Sequence, residues 1–187
     1  MTNCPLNAIM VKEQVTEIRK EMNMEAEKYL DYLTKIYEVY YDLFYNYKIN
    51  PLEFDLYGRY FERNEKYFAT KKIVLYGLER NEHLLYKHYK KVSLDDVKTF
   101  THTLEDSINT LVTPGGDHMA TLIRGLISTE TRPDKEVIRY VKKYKFYKSF
   151  LFGMKGWVNI GLNLVNINDS TSYHNKMGKA GSESFLI

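Results

Sequence analysis

From Val11 the apolar positions fall at Val11, Val15, Ile18, Met22, Ala26, Tyr29, Leu33, Ile36, Tyr40, Leu43 and Tyr47, steps of three and four that each match one helical turn. The pattern predicts one long helix, whose polar stripe of Asp31, Lys35, Glu38 and Asp42 is narrow enough for other helices to surround it. "INPLEF" then reads as a helix start, with Asn50 as N-cap, Pro51 at the first helical position, Glu53 reaching back and Ile49 stapled to Phe54. A second helix is expected through Tyr57, Phe61, Phe68, Leu75, Leu78, Leu85 and Tyr89, with a weak spot at "ERNEK". "VSLDDV" repeats the start signature. Ser93 caps, Asp96 answers, Val92 meets Val97, and a third helix carries Val97, Phe100, Leu104, Ile108 and Leu111 on one side. "TPGGD" ends it, a short helix is expected through Leu122, Ile123, Leu126 and Ile127, and "TETRPD" introduces a last long helix.

Val158 to Leu164 alternate strictly between apolar and polar, which suits a strand. A helical projection also accounts for the run, because it puts Asn159, Asn163 and Asn166 on one side, and helix is the reading adopted. Lys155 and the asparagines interrupt the run too often for a membrane span. The expected fold class is therefore all-α: a bundle of long antiparallel helices forming a single helical domain over residues 1–167. Residues 168–187 are expected to form a polar C-terminal tail with an apolar tip. Phe185, Leu186 and Ile187 at that tip are candidate protein-interaction residues, docking on the chain's own core or on a neighbouring subunit, and a homo-oligomer is expected.

Composition supports a packed chain. Of 187 residues 44% are hydrophobic and 14% aromatic, with 17 Tyr, which is too apolar for disorder. The net charge is only +3, so a strong positive field must come from local clustering. Cys4 is the single cysteine and cannot form an internal disulfide, and the first residues lack a basic segment followed by an apolar run. A cytoplasmic location, or the interior of a host cell or virion, is expected.

Most enzymatic patterns fail. No two of the five histidines stand at the i, i+4 spacing that aims two imidazoles at one metal, and one cysteine cannot build a zinc site, so neither metal nor cofactor is expected. Glu79 and His83, with Arg80 and Glu82 beside them, would form a carboxylate–imidazole pair on a helix, but a solvated face with local ion pairs is the plainer reading. "TPGGDH" lacks the lysine and the preceding strand of a phosphate loop and reads as a turn, with Asp117 as N-cap. A helix-turn-helix at 94–112 is disfavoured, since Thr101 and Thr103 occupy places that should be apolar.

The stretch "IRYVKKYKFYKSF" carries the most suggestive chemistry. On a helical projection Lys135, Arg139, Lys142 and Lys143 share one side, while Val137, Tyr140, Val141, Tyr144 and Tyr147 share the other. Lys145 and Lys148 extend the edges, and Phe146 and Phe150 sit among the cations, where rings can stack on bases. The alternative is that acidic residues such as Glu25, Glu27 and Asp31 cover this face. The function expected is a non-enzymatic accessory or regulatory protein that grips the phosphate backbone of DNA or RNA. A self-assembling structural or protein-interaction subunit is the alternative, and an enzyme of unknown chemistry the remoter one.

Overall fold

A computed structural model describes residues 26–67, 74–114 and 118–186, without the side chains of 62–67, 74–80 and 118–119. Cys4, the first half of the expected first helix, Glu25, Phe68, the Gly115–Asp117 turn and Ile187 lie outside the described residues. A helix covers 26–37 (α1), followed by strands Asp42–Ile49 (β1), Leu52–Tyr67 (β2) and Val74–Tyr89 (β3). Helix Leu94–Leu111 (α2), strand His118–Thr129 (β4) and helix Lys135–Lys143 (α3) come next. Strands Tyr147–Ser149 (β5), Trp157–Asn166 (β6) and Thr171–His174 (β7) complete one seven-stranded sheet.

The expected all-α bundle is thus corrected to a mixed α/β fold. The sheet runs β1-β2-β3-β4-β6, with β5 and β7 both on the outer edge of β6. β1, β2 and β3 form an antiparallel meander, whereas β3, β4 and β6 are parallel neighbours linked by α2 and α3. Both crossover helices lie on one face of the sheet, over Phe54, Leu85, Ile123, Ile127, Val158, Ile160, Leu162 and Leu164. The opposite face carries α1 against Leu56, Leu84, Tyr86, Leu126 and Val165.

The physical reason for the correction is burial on both faces. In β4 the run Thr121–Ser128 sends Ile123 and Ile127 to the α2 side and Leu126 to the α1 side, so the apolar pairs Leu122–Ile123 and Leu126–Ile127 fall four apart and mimic a short buried helix. The expected second helix divides into β2 and β3, and "INPLEF" is the β1–β2 hairpin, where Ile49 pairs with Leu52. Asn46, at φ 51°, breaks the pleat opposite Asp55. Phe54 and Leu56, two residues apart in β2, join different cores, which hides the alternation that would have marked a strand. The first helix ends at 37 and the last at Lys143, and the alternating Val158–Leu164 segment is the buried centre of β6.

The third helix agrees with its signature. Asp96 N donates to Ser93 Oγ (3.1 Å) and Ser93 N to Asp96 Oδ2 (2.8 Å), closing a capping box, and α2 runs uninterrupted to Leu111. It crosses β4 at Gly125, where a Cβ would stand 2.5 Å from Leu104 Cδ1 and 2.7 Å from Phe100 Cε1. Any larger residue there would force Leu104 and Phe100 to move.

The stretch expected to be a tail is built into the domain. After β7, Asn175 accepts hydrogen bonds from Leu162 N (3.0 Å) and Gly178 N (2.7 Å) and donates to Ile160 O (3.0 Å), pinning the chain to β6. A Cβ on Gly178 would stand 2.6 Å from Leu162 O, so the crossing requires glycine. The chain then reaches α1, where Tyr29 donates to Phe185 O (2.8 Å) and Tyr32 to Leu186 O (2.9 Å). Phe185 is fully buried there. Among the described residues, no helix is long and apolar enough to cross a membrane.

Candidate functional site

α3 follows Pro133, which is buried, and Asp134, whose backbone carbonyl accepts from Ile138 N at 3.0 Å. Val137 and Val141 anchor its inner face in the core shared with α2 and β6. Lys135, Arg139, Lys142 and Lys143 are exposed on the outer face, as the projection places them, and Lys145 is exposed just beyond. Lys142 and Lys143 occupy the last turn, where the carbonyl end of the helix favours cations. Lys142 Nζ also lies 5.6 Å from the centre of the Tyr173 ring.

The ion pairs among the described residues are Lys48–Glu53, Arg59–Asp42, His88–Glu130, Lys98–Asp95 and Arg124–Glu82. None involves a cation of α3 or Lys145. Glu27 and Asp31, expected as neutralising partners, belong to α1 on the far side of the sheet. The helix ends at Tyr144, with φ −58° and ψ 134°, so the residues after it leave the projected face. Phe146 and Phe150 are half-buried against the core under α2 and α3, and Lys148 lies 5.5 Å above the Phe150 ring.

Beside the basic strip, where α2 begins, an open cleft of about 420 Å³ is lined by Leu94, Glu136, Arg139, Tyr140, Lys143 and Tyr144. Tyr140 Oη lies 2.8 Å from Thr101 Oγ1, and Tyr144 donates to Glu105 Oε1 at 2.8 Å. Burial, followed by the carboxylate it bonds, pushes the Tyr144 hydroxyl far above the usual phenol range, so it stays protonated. Both hydroxyls are therefore engaged by α2 and the rings are held in place. The helical projection puts these tyrosines on the buried side of the helix, and nothing local marks them as a cleft, because the opposite wall comes from another element. The i, i+4 spacing of Tyr140 and Tyr144 is the one available signal.

The β5–β6 hairpin adds an apolar tip. Leu151 and Phe152 adopt φ 46° and 54°, a region that β-carbon-bearing residues rarely occupy, and Phe152 is fully exposed beside exposed Met154.

No group of metal-binding side chains occurs among the described residues. Glu82 and His83, expected on a helix, are consecutive in β3 and face opposite sides. Glu82 pairs with Arg124, which also donates to Ala180 O, and accepts from Tyr41 at 2.7 Å. His83 Nδ1 lies 2.9 Å from Tyr57 Oη; burial, then the nearby Arg59, lowers its pKa to about 4. His88 sits between Ser128 Oγ (2.8 Å from Nδ1) and Glu130 Oε1 (3.2 Å from Nε2), with Tyr86 Oη 2.8 Å from the same Ser128 oxygen. The three side chains have the order of a serine–histidine–carboxylate relay, but Ser128 is buried and both ring nitrogens are engaged within the protein.

Residues 25–187 match the model of a family described as a domain of unknown function (DUF8052), and the chain belongs to that family. No curated protein and no solved structure matches it.

Proposed function

We propose that the protein binds the phosphate backbone of a nucleic acid through the outer face of α3, without catalysing a reaction on it. One observation carries this reading: Lys135, Arg139, Lys142 and Lys143 stand exposed on one short helix, with no described carboxylate paired to any of them. Exposed cations with no described carboxylate partner keep most of their attraction for phosphate, Lys142 less than the others because it lies 5.6 Å from the Tyr173 ring, and a helix of nine residues spans about 14 Å, enough for several successive phosphates. Lysines mostly read backbone charge, so sequence preference is slight.

Retention on labelled DNA and RNA over a salt series tests the proposal. Each phosphate contact steepens the dependence of log affinity on log salt by about 0.7–0.9. The triple replacement Arg139→Glu, Lys142→Glu and Lys143→Glu is expected to abolish retention and leave the melting midpoint nearly unchanged, since none of these side chains is buried. Absence of binding by the wild type to either nucleic acid at low salt refutes the proposal.

A second reading, self-assembly, draws on a different surface. Val39, Tyr40 and Tyr45 are exposed where the chain leaves α1 and enters the edge strand β1. A mass above that of one chain in light scattering, reduced by Tyr40→Ser with Tyr45→Ser, supports it; a monomer at all concentrations rejects it.

A further inference from the structure

We infer that the cleft between the start of α2 and α3 seats one unpaired base of the strand held on the basic strip, so that the protein selects single-stranded over double-stranded nucleic acid. This rests on the proposed function and names the substrate class for the same surface. The cleft has the chemistry of a base slot. Its floor is apolar, formed by half-buried Leu94 and Tyr140 and buried Tyr144, and its volume of about 420 Å³ accepts a planar heterocycle with room for the sugar. The tyrosine hydroxyls are already bonded to Thr101 and Glu105, so the rings need no reordering when a base arrives.

Charge completes the match. Arg139 and Lys143, one helical turn apart and exposed, flank the slot where the phosphates on either side of a flipped-in nucleotide would lie. The remaining rim residue, Glu136, repels a bare phosphate from the apolar floor and leaves the cleft to the uncharged base. A nucleotide is flat and apolar in its faces and anionic along one edge. In a duplex the bases are paired and stacked, and entry then requires extruding one of them, so an unpaired strand binds more tightly.

The experiment compares fluorescence anisotropy of a short labelled single strand with that of its duplex at one salt concentration, with a mononucleotide as competitor. The wild type is expected to bind the single strand about tenfold more tightly, the scale of one base stacked on an aromatic surface. Leu94→Trp, which fills the cleft and changes no charge, is expected to bring that ratio to about one. In case that variant fails to fold, ultraviolet cross-linking of a bromouracil-substituted strand to the wild type gives an independent readout, with adducts expected on Tyr140 or Tyr144. Equal affinity for strand and duplex, or adducts confined to other segments, overturns the inference and leaves the backbone grip standing. Mononucleotide binding as tight as that of the strand overturns it in favour of a free nucleotide. Absence of binding to either polymer removes the proposed function, and the inference with it.

Discussion

Replacing Phe185 by alanine tests whether the end of the chain is part of its own core. The ring has no solvent exposure and belongs to the cluster of Tyr29, Leu33, Tyr37, Leu84 and Tyr86, with the Tyr37 ring stacked at 6.4 Å. Truncating an aromatic side chain at such a site removes its transfer free energy and leaves a cavity, together about 3–5 kcal/mol. The backbone carbonyl that accepts from Tyr29 survives the substitution, so no hydrogen bond need be added to that figure. A domain of this size loses about 2–4 °C per kcal/mol, which puts the fall in melting midpoint at about 6–20 °C. Circular dichroism melts at widely separated protein concentrations measure it. Docking within one chain gives both proteins the same dependence of midpoint on concentration, whereas docking on a second copy gives the wild type a rise with concentration that the variant lacks. A loss below about 1 kcal/mol, or a rise of the wild-type midpoint with concentration that Phe185→Ala abolishes, refutes docking of Phe185 in its own core.

Two further perturbations follow from the buried polar groups. Arg124→Ala leaves the Glu82 carboxylate half-buried without its cation and frees Ala180 O, so urea unfolding should show a loss of about 3–5 kcal/mol, most of it recovered when Glu82→Leu is added to Arg124→Met. His83 is held neutral by burial, its pKa lowered from 6.5 to about 4. The unfolded chain therefore binds a proton more readily than the folded one, and the stability from this residue, present above pH about 6.5, is lost as pH falls toward about 4, at about 1.4 kcal/mol per unit. Urea midpoints of wild type and His83→Gln measured at descending pH check this: the wild type should lose stability faster, and parallel curves reject the assignment.

How much of the fold is legible in the sequence depends on how local each signal is. The capping box at Ser93 and Asp96 involves side chains three residues apart and needs no partner, so α2 is readable to its first residue. α3 likewise shows its basic face directly. The strands are not readable in this way. In β4 Leu126 and Ile127 pack on opposite faces, which blurs the alternation, and in β2 Phe54 and Leu56 lie in opposite cores, whereas the alternation of Val158–Leu164 in β6 is intact but fits a helical projection equally well. Steps of three and four among apolar residues then persist by coincidence in a chain so rich in Tyr, Leu and Ile. The abundance of tyrosine, a residue enriched in strands, was the available counter-signal.

The candidate site divides in the same way, and the division has a measurable consequence. Lys135, Arg139, Lys142 and Lys143 form a strip because a single helix places them, whereas Lys145, Phe146, Lys148 and Phe150 join it only if that helix continues. It stops at Tyr144, whose ψ of 134° turns the chain toward β5. Phe146 and Phe150 consequently pack against the core, and Lys148 is half-buried above Phe150 instead of projecting beside Lys143. A cation that already covers an aromatic ring and is partly desolvated gains less from a phosphate than one standing free. Lys143→Glu is therefore expected to flatten the plot of log affinity against log salt by about one contact, or 0.7–0.9, whereas Lys148→Glu leaves the slope nearly unchanged. Titration of a labelled strand with both variants over the same salt series decides the matter, and a loss of slope at Lys148 equal to that at Lys143 would mean that the grip extends past the end of α3 and onto the hairpin.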